Sequence, residues 1–139
     1  MKPKISPEEY KKILNSIELE LITMTESKTK YQPEYIDNDL DVSIKGKPKF
    51  RQIENRLTVN YRFNFKGKSS IKEKPGIEIL GVYQIIYTKK DKAEIPENFF
   101  EPFSQFIVEL MIWTYFREFV QSSISRMNLP TFTLPFKRI

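Results

Sequence analysis

The chain has neither cysteine nor histidine among its 139 residues. Without cysteine there are no disulfides and no thiol nucleophile, and nothing ties the protein to an oxidising compartment. Without histidine it lacks the usual general base near neutral pH and the usual nitrogen ligand for zinc or copper. Catalysis would have to rest on carboxylates, lysine or tyrosine, and the carboxylates are poorly arranged for it. Asp37, Asp39 and Asp41 alternate like the start of a calcium loop, but Val42 stands where such a loop needs glycine and Pro48 where it needs a bidentate acid. Glu18 and Glu20 share one side of a strand and read as an exposed sheet face. The glycines are also few, and Gly46, Gly67, Gly76 and Gly81 are too scattered to cradle a phosphate. The opening MKPKISPEEYKKIL has no apolar core of signal-peptide length and carries Glu8 and Glu9, which argues against a secretory signal and a transit peptide. A cytoplasmic, non-enzymatic protein with no metal and no cofactor is expected.

What is present fits one folded domain over residues 1–139, with 40% hydrophobic and 29% charged residues. Ser6-Pro7-Glu8-Glu9 combines a serine cap, proline at the first helical position and glutamate at the third, so a short helix opens the chain within residues 1–15. A run of strands over 16–90 follows. Ile17, Leu19 and Leu21 alternate with Glu18 and Glu20; Leu40, Val42 and Ile44 alternate next; Pro48 places that second segment at a sheet edge. In RLTVNYRFNFK, Leu57, Val59, Tyr61, Phe63 and Phe65 point one way and Thr58, Asn60, Arg62 and Asn64 the other. Residues 66–76 read as an exposed connection, and 77–89 as a strand apolar on both faces, with Gly81 as a candidate bulge. Four strands with no helix between them predict an antiparallel sheet and an α+β fold.

Over 96–127 the period changes to three and four, with Phe99, Phe103, Phe106, Leu110, Trp113, Val120 and Ile124 as its apolar positions. Two helical segments are expected there, and then an apolar arm over 128–139, NLPTFTLPFKRI. Between Phe106 and Val120 the only polar residues are Glu109, Thr114, Arg117 and Glu118, so that helix needs cover on both sides, and the second cover points to a homo-oligomer. It is too short and too charged to span a membrane.

The segment IWTYFREFVQSSISRMNLPTFTLP, residues 112 to 135, resembles the C-terminal signature of the SecB family of export chaperones. Tyr115, Arg117 and Glu118 meet its Tyr-x-Arg-Glu core, Val120 its branched apolar position, Ser125-Arg126 its Ser-Arg pair, and Leu129-Pro130 and Leu134-Pro135 its two apolar-proline steps. The order of strands and helices is similar over residues 16–139. The resemblance implies a subunit of a dimer, or of a dimer of dimers forming a homotetramer, that binds unfolded polypeptides in apolar grooves without ATP. It could thereby keep preproteins competent for export, or serve a toxin-antitoxin system. Phe99, Phe103, Phe106, Leu129, Phe132 and Leu134 would then contact the client, while Trp113, Tyr115, Arg117, Glu118 and Val120 carry the family motif or an oligomer interface. Alone, the helical aromatics read first as core, and the arm reads equally as a strap across the molecule's own sheet or as a client surface.

Thr114 stands where that motif often has proline, and Met127-Asn128 where glycine commonly ends the helix. Charge separates the chain further from acidic members that dock on the SecA motor: it carries net charge +5, and like charge would repel basic docking elements. SecA is therefore not an expected partner. A basic nucleic-acid-binding module is the reading from another class, since Arg62 and Lys66 flank Tyr61, Phe63 and Phe65. The strand period turns those rings away from Arg62, which disfavours it.

Overall fold

The computed structural model describes residues 4–37 and 40–129. The first helix, α1 (Pro7–Ser16), begins as its sequence predicts: Ser6 lies in extended backbone and its Oγ accepts from the Glu9 N–H at 3.2 Å, with Pro7 where a missing N–H costs nothing. Four strands follow: β1 (Ile17–Tyr31), β2 (Leu40–Ile53), β3 (Arg56–Ser69) and β4 (Ile77–Lys89). They form one antiparallel sheet in the order β1-β4-β3-β2. Three hairpin-linked strands with the first strand returned beside the last make a Greek key.

β1 and β2 are therefore the two edges, about 14 Å apart across two intervening strands. The chain crosses that width after Tyr31 through a 3₁₀ turn at Pro33–Tyr35. Gln32 N–H donates to the Gly76 carbonyl at 2.8 Å and Gly76 N–H to the Gly67 carbonyl at 2.9 Å, while the Ser69 hydroxyl bonds to Asp37. Ile36 lies directly over Gly76 and leaves no room there for a Cβ.

β3 follows the sequence reading closely: Leu57, Val59, Tyr61, Phe63 and Phe65 are buried, and Arg62 and Lys66 are exposed on the far side. It runs on to Ser69, so residues 66–69, expected in a connection, belong to the strand. β1 differs more. The alternation that put Leu21 beside Ile17 and Leu19 is broken by bulges between Leu19 and Leu21 and between Met24 and Glu26. Leu21 consequently pairs with Ile86 on one face, whereas Leu19 pairs with Tyr87 and Ile22 with Ile85 on the other. The polar run after Thr25 stays in the sheet to Tyr31 because the ladder to β4 holds it, not an apolar face. Gly81 is no bulge: it pairs regularly with Phe63 and faces the Phe116 ring.

The helical stretch begins in a 3₁₀ turn at Glu97–Phe99 and continues as α2 (Phe100–Phe103), a single wide π turn at Ser104–Val108, and α3 (Glu109–Arg126). α3 lies across β3 and β4 and buries Ile112, Trp113, Phe116, Val120 and Ile124. Its outward side is less apolar than the composition implied. Thr114, Glu118, Ser122 and Ser125 are exposed there, so the bare apolar surface is confined to Phe106, Ile107 and Tyr115 near its start. α3 ends at Arg126, and two residues on Asn128 takes a φ of 59°, the left-handed conformation that asparagine tolerates in place of glycine.

A buried polar latch joins the sheet to the helical stretch. Lys89 is only 5% exposed. Its Nζ donates to Gln52 Oε1 at 3.2 Å and to the Ala93 carbonyl at 2.9 Å. Gln52 also accepts from the Ile95 N–H at 2.8 Å and donates through Nε2 to the Ile95 carbonyl at 3.0 Å. One glutamine on β2 thus satisfies the connection after β4 in both directions. Gln52→Ala would strand these buried partners and is expected to lower stability by about 1–3 kcal/mol, read as a reduced urea midpoint with unchanged slope.

Candidate functional site: an apolar groove

Phe99 and Phe103 stand four apart, but the next core residue, Val108, comes five later, and Ile112, Phe116, Val120 and Ile124 then follow at fours. A regular helix would rotate the second set away from the sheet. The π turn absorbs the extra residue: Glu109 N–H donates to the Ser104 carbonyl, five residues back, so both sets face the core. The same turn expels Phe106, which simple three-and-four spacing places with Phe103. Phe106 is 42% exposed and Ile107 37%. Pro102, which cannot donate a backbone hydrogen bond, lies two residues before the turn.

Phe106 opens onto a groove of about 850 Å³ between the helical stretch, β2 and the start of the chain. Ile5, Phe50, Phe100, Pro102 and Phe106 supply its apolar lining, and Lys4, Glu97, Asn98, Glu101 and Gln105 its polar rim. The wall is built from rings in contact. Phe50 stacks on Phe100 at 4.5 Å, Phe100 meets Phe99 edge-on at 6.1 Å, and Phe99 stacks on Phe103 at 4.9 Å. Tyr10 of α1 packs on Phe99 at 5.1 Å and Tyr87 of β4 on Phe103 at 5.3 Å. The rings reachable from solvent are thereby braced by rings that are not. Such a surface suits apolar side chains of varied shape and discriminates little among them, while the rim offers partners to the backbone of an extended chain.

Of the residues expected at a client surface, Phe106 lines the groove, and Phe99 and Phe103 are buried beneath it as support. Leu129 is half-buried against the core. Phe132 and Leu134 lie outside the described residues. Of the motif residues, Trp113 and Val120 pack against the sheet, Tyr115 is 48% exposed beside Tyr83, Glu118 is exposed, and Arg117 is half-buried. Sequence reading missed Phe50, Phe100 and Ile5. Phe50 sits at an alternate position on a strand whose Pro48 already marked it as an edge, and that was the available signal.

Neither a protein-family model nor a curated protein sequence matches the chain. Among solved structures, the Mycobacterium tuberculosis Rv1957 SecB-like chaperone, in complex with a ChAD peptide from the Rv1956 HigA1 antitoxin, superposes at a TM-score of 0.77. The match is 11% identical and covers 95% of this chain and 98% of that one. A protein of unknown function from Streptococcus agalactiae is a looser likeness, with a TM-score of 0.47 and 12% identity over 86% of this chain and 97% of that one. The first match defines the class: this chain has a SecB-like fold, with a Greek-key sheet covered on one face by the C-terminal helical stretch.

Proposed function

We propose that this protein is a molecular chaperone that holds non-native polypeptide segments in the apolar groove, without ATP and without catalysis. The observation that carries this reading is the groove itself. An exposed Phe106 and a stacked Phe50-Phe100 wall lie under a polar rim, on rings that the core braces. The SecB-like fold supports it, as does the fact that the Rv1957 chaperone was solved with a peptide bound. Among the described residues no helix is long and apolar enough to cross a membrane, in keeping with clients met in the cytoplasm. An antitoxin fits the proposed role as client, and so does a preprotein. SecA does not fit, because the face of the sheet away from the helices is basic. Self-association into a dimer or dimer of dimers belongs to the same reading, and residues 130–139, with Phe132 and Leu134, would extend the client surface.

The test is light scattering from a denatured, slow-folding protein diluted with and without the chaperone. Wild type is expected to suppress aggregation. Phe106→Ser, which alters an exposed side chain and should leave stability within about 0.5 kcal/mol, is expected to weaken suppression about tenfold. A Phe132→Ser, Leu134→Ser variant reports separately on the arm. No suppression at several-fold excess of intact protein would reject the chaperone reading, and full suppression by Phe106→Ser would move the client site off this groove.

A further inference from the structure

The pairing of the strands sorts every residue of the sheet's helix-free face into rows. Across β2, β3, β4 and β1 these read Ile53-Arg56-Thr88-Glu18, Arg51-Thr58-Ile86-Leu21, Lys49-Asn60-Gln84-Thr23, Lys47-Arg62-Val82-Glu26 and Lys45-Asn64-Leu80-Lys28. The next row starts Ser43-Lys66-Glu78, and Asp41-Lys68 follows. On β2 and β3 this face therefore carries eight cations, Lys45, Lys47, Lys49, Arg51, Arg56, Arg62, Lys66 and Lys68, against the single anion Asp41. All eight are exposed, and among the described residues none forms an ion pair. The whole chain has a net charge of only +5, so half of one sheet face accounts for the entire positive excess. The β4 half differs in kind: half-buried Val82 and Ile86, with Gln84 between them, and buried Leu80 make it mostly apolar, and Ile86 adjoins Leu21 of β1, which is 49% exposed, while Glu26 and Lys28 flank Val82 and Leu80. Unneutralised lysines at this density repel one another and are tolerated because water screens them. A partner that brought the opposite charge would relieve that repulsion.

We infer that this face is a second docking surface, separate from the groove, for an acidic amphipathic polypeptide segment whose carboxylates lie over β2 and β3 and whose apolar side chains lie on β4. Charge complementarity selects an anion, and the layout of the face selects a polypeptide. Cations on alternate β2 residues recur about every 6.6–6.8 Å, the repeat of alternate side chains in an extended chain. β2 lies about 9.5 Å from β4, which is also close to the width of one helix. Nucleic acid suits the face less well. Tyr61, Phe63 and Phe65 are buried on the opposite side, and no aromatic residue stands in the rows to stack a base. Phosphate has no use for Leu21 and Ile86.

The experiment measures fluorescence anisotropy of a labelled peptide whose helix carries glutamates and leucines in adjacent stripes. Labelled poly-glutamate and labelled single-stranded and duplex RNA are run in parallel, all at low salt. The amphipathic peptide is expected to bind most tightly and to weaken as salt rises. Lys45→Ser/Lys47→Ser/Lys49→Ser removes three exposed charges and is expected to weaken it about tenfold. Leu21→Ser is expected to weaken it about threefold, and Phe106→Ser not at all. The triple variant should keep its thermal midpoint and its suppression of aggregation, which separates this surface from the groove. The inference is overturned by no binding at low salt, by equal binding to the triple variant, by poly-glutamate binding as tightly as the amphipathic peptide, or by RNA binding more tightly than the peptide.

Discussion

Phe116→Ala is expected to lower the stability of the protein by about 3–5 kcal/mol, the largest loss expected of any single truncation considered. The ring is fully buried where helix and sheet meet. It stacks on Phe63 of β3 at 4.8 Å and lies 6.4 Å from the Trp113 ring, while Phe63 in turn stacks on Tyr61 at 4.7 Å and meets Trp113 edge-on at 5.8 Å. On β4 the absence of a side chain at Gly81 lets the ring approach, since a Cβ there would sit 3.1 Å from Phe116 Cδ1. Truncation would leave a cavity bounded by a β3 backbone and ring that cannot follow. The loss should appear as a lower guanidinium midpoint with unchanged slope, and a loss under about 1 kcal/mol would mean that α3 rides on the sheet without depending on this contact. The complementary change, Gly81→Val, should also destabilise by overpacking the same site.

The core around that ring was readable in advance because two periodicities met there. β3 alternates cleanly since one face is wet and one dry, and α3 repeats its apolar residues at fours from Val108 onward. The outlying elements were less legible for physical reasons that differ. The second half of β1 is held by backbone pairing at an edge, which leaves no apolar trace, and its bulges invert the face that a strict period of two assigns to Leu21. Lys89 stands beside Lys90 and three residues before Lys92 in the sequence, yet Gln52 and the Ala93 carbonyl take it inside. Such a partnership depends on a residue far away in sequence.

The groove shows the same mixture. Its aromatic character was evident, but which rings reach solvent depends on one extra residue in a helix. With the count from Phe103 to Val108 set at five, Phe106 turns outward and Phe99 and Phe103 stay inside. The cationic rows needed the register of three strand pairs before Lys45, Lys47, Lys49 and Arg51 could be placed beside Arg62 and Lys66 on one face. In the sequence they are separate lysine-rich pieces.

Alkaline pH should unfold the protein earlier than its neutral-pH stability implies. Tyr61, Tyr83 and Tyr87 all face the core side of β3 and β4, and burial raises each phenol above its ordinary value near 10. For Tyr87 burial alone pushes it up to about 12. Tyr61 and Tyr83 are raised further, first by burial and then by the nearby Glu109 and Glu118 carboxylates respectively. A raised folded-state pKa means that the native protein keeps these protons when the unfolded chain has begun to release them. The native advantage is therefore intact below pH 10 and falls as pH rises through 10 toward 12. Within that window each tyrosine withdraws about 1.4 kcal/mol per pH unit, so the three together remove about 4 kcal/mol by pH 11, a large part of the roughly 5–15 kcal/mol that holds an ordinary domain folded. Urea unfolding at a series of pH values from 8 to 11 should show a flat stability followed by this descent. Tyr83→Phe, which removes a buried hydroxyl without a hydrogen-bond partner among the described residues, should reduce the slope above pH 10 by about a third. A wild-type stability that stays level to pH 11 would mean that these hydroxyls reach water in the native state.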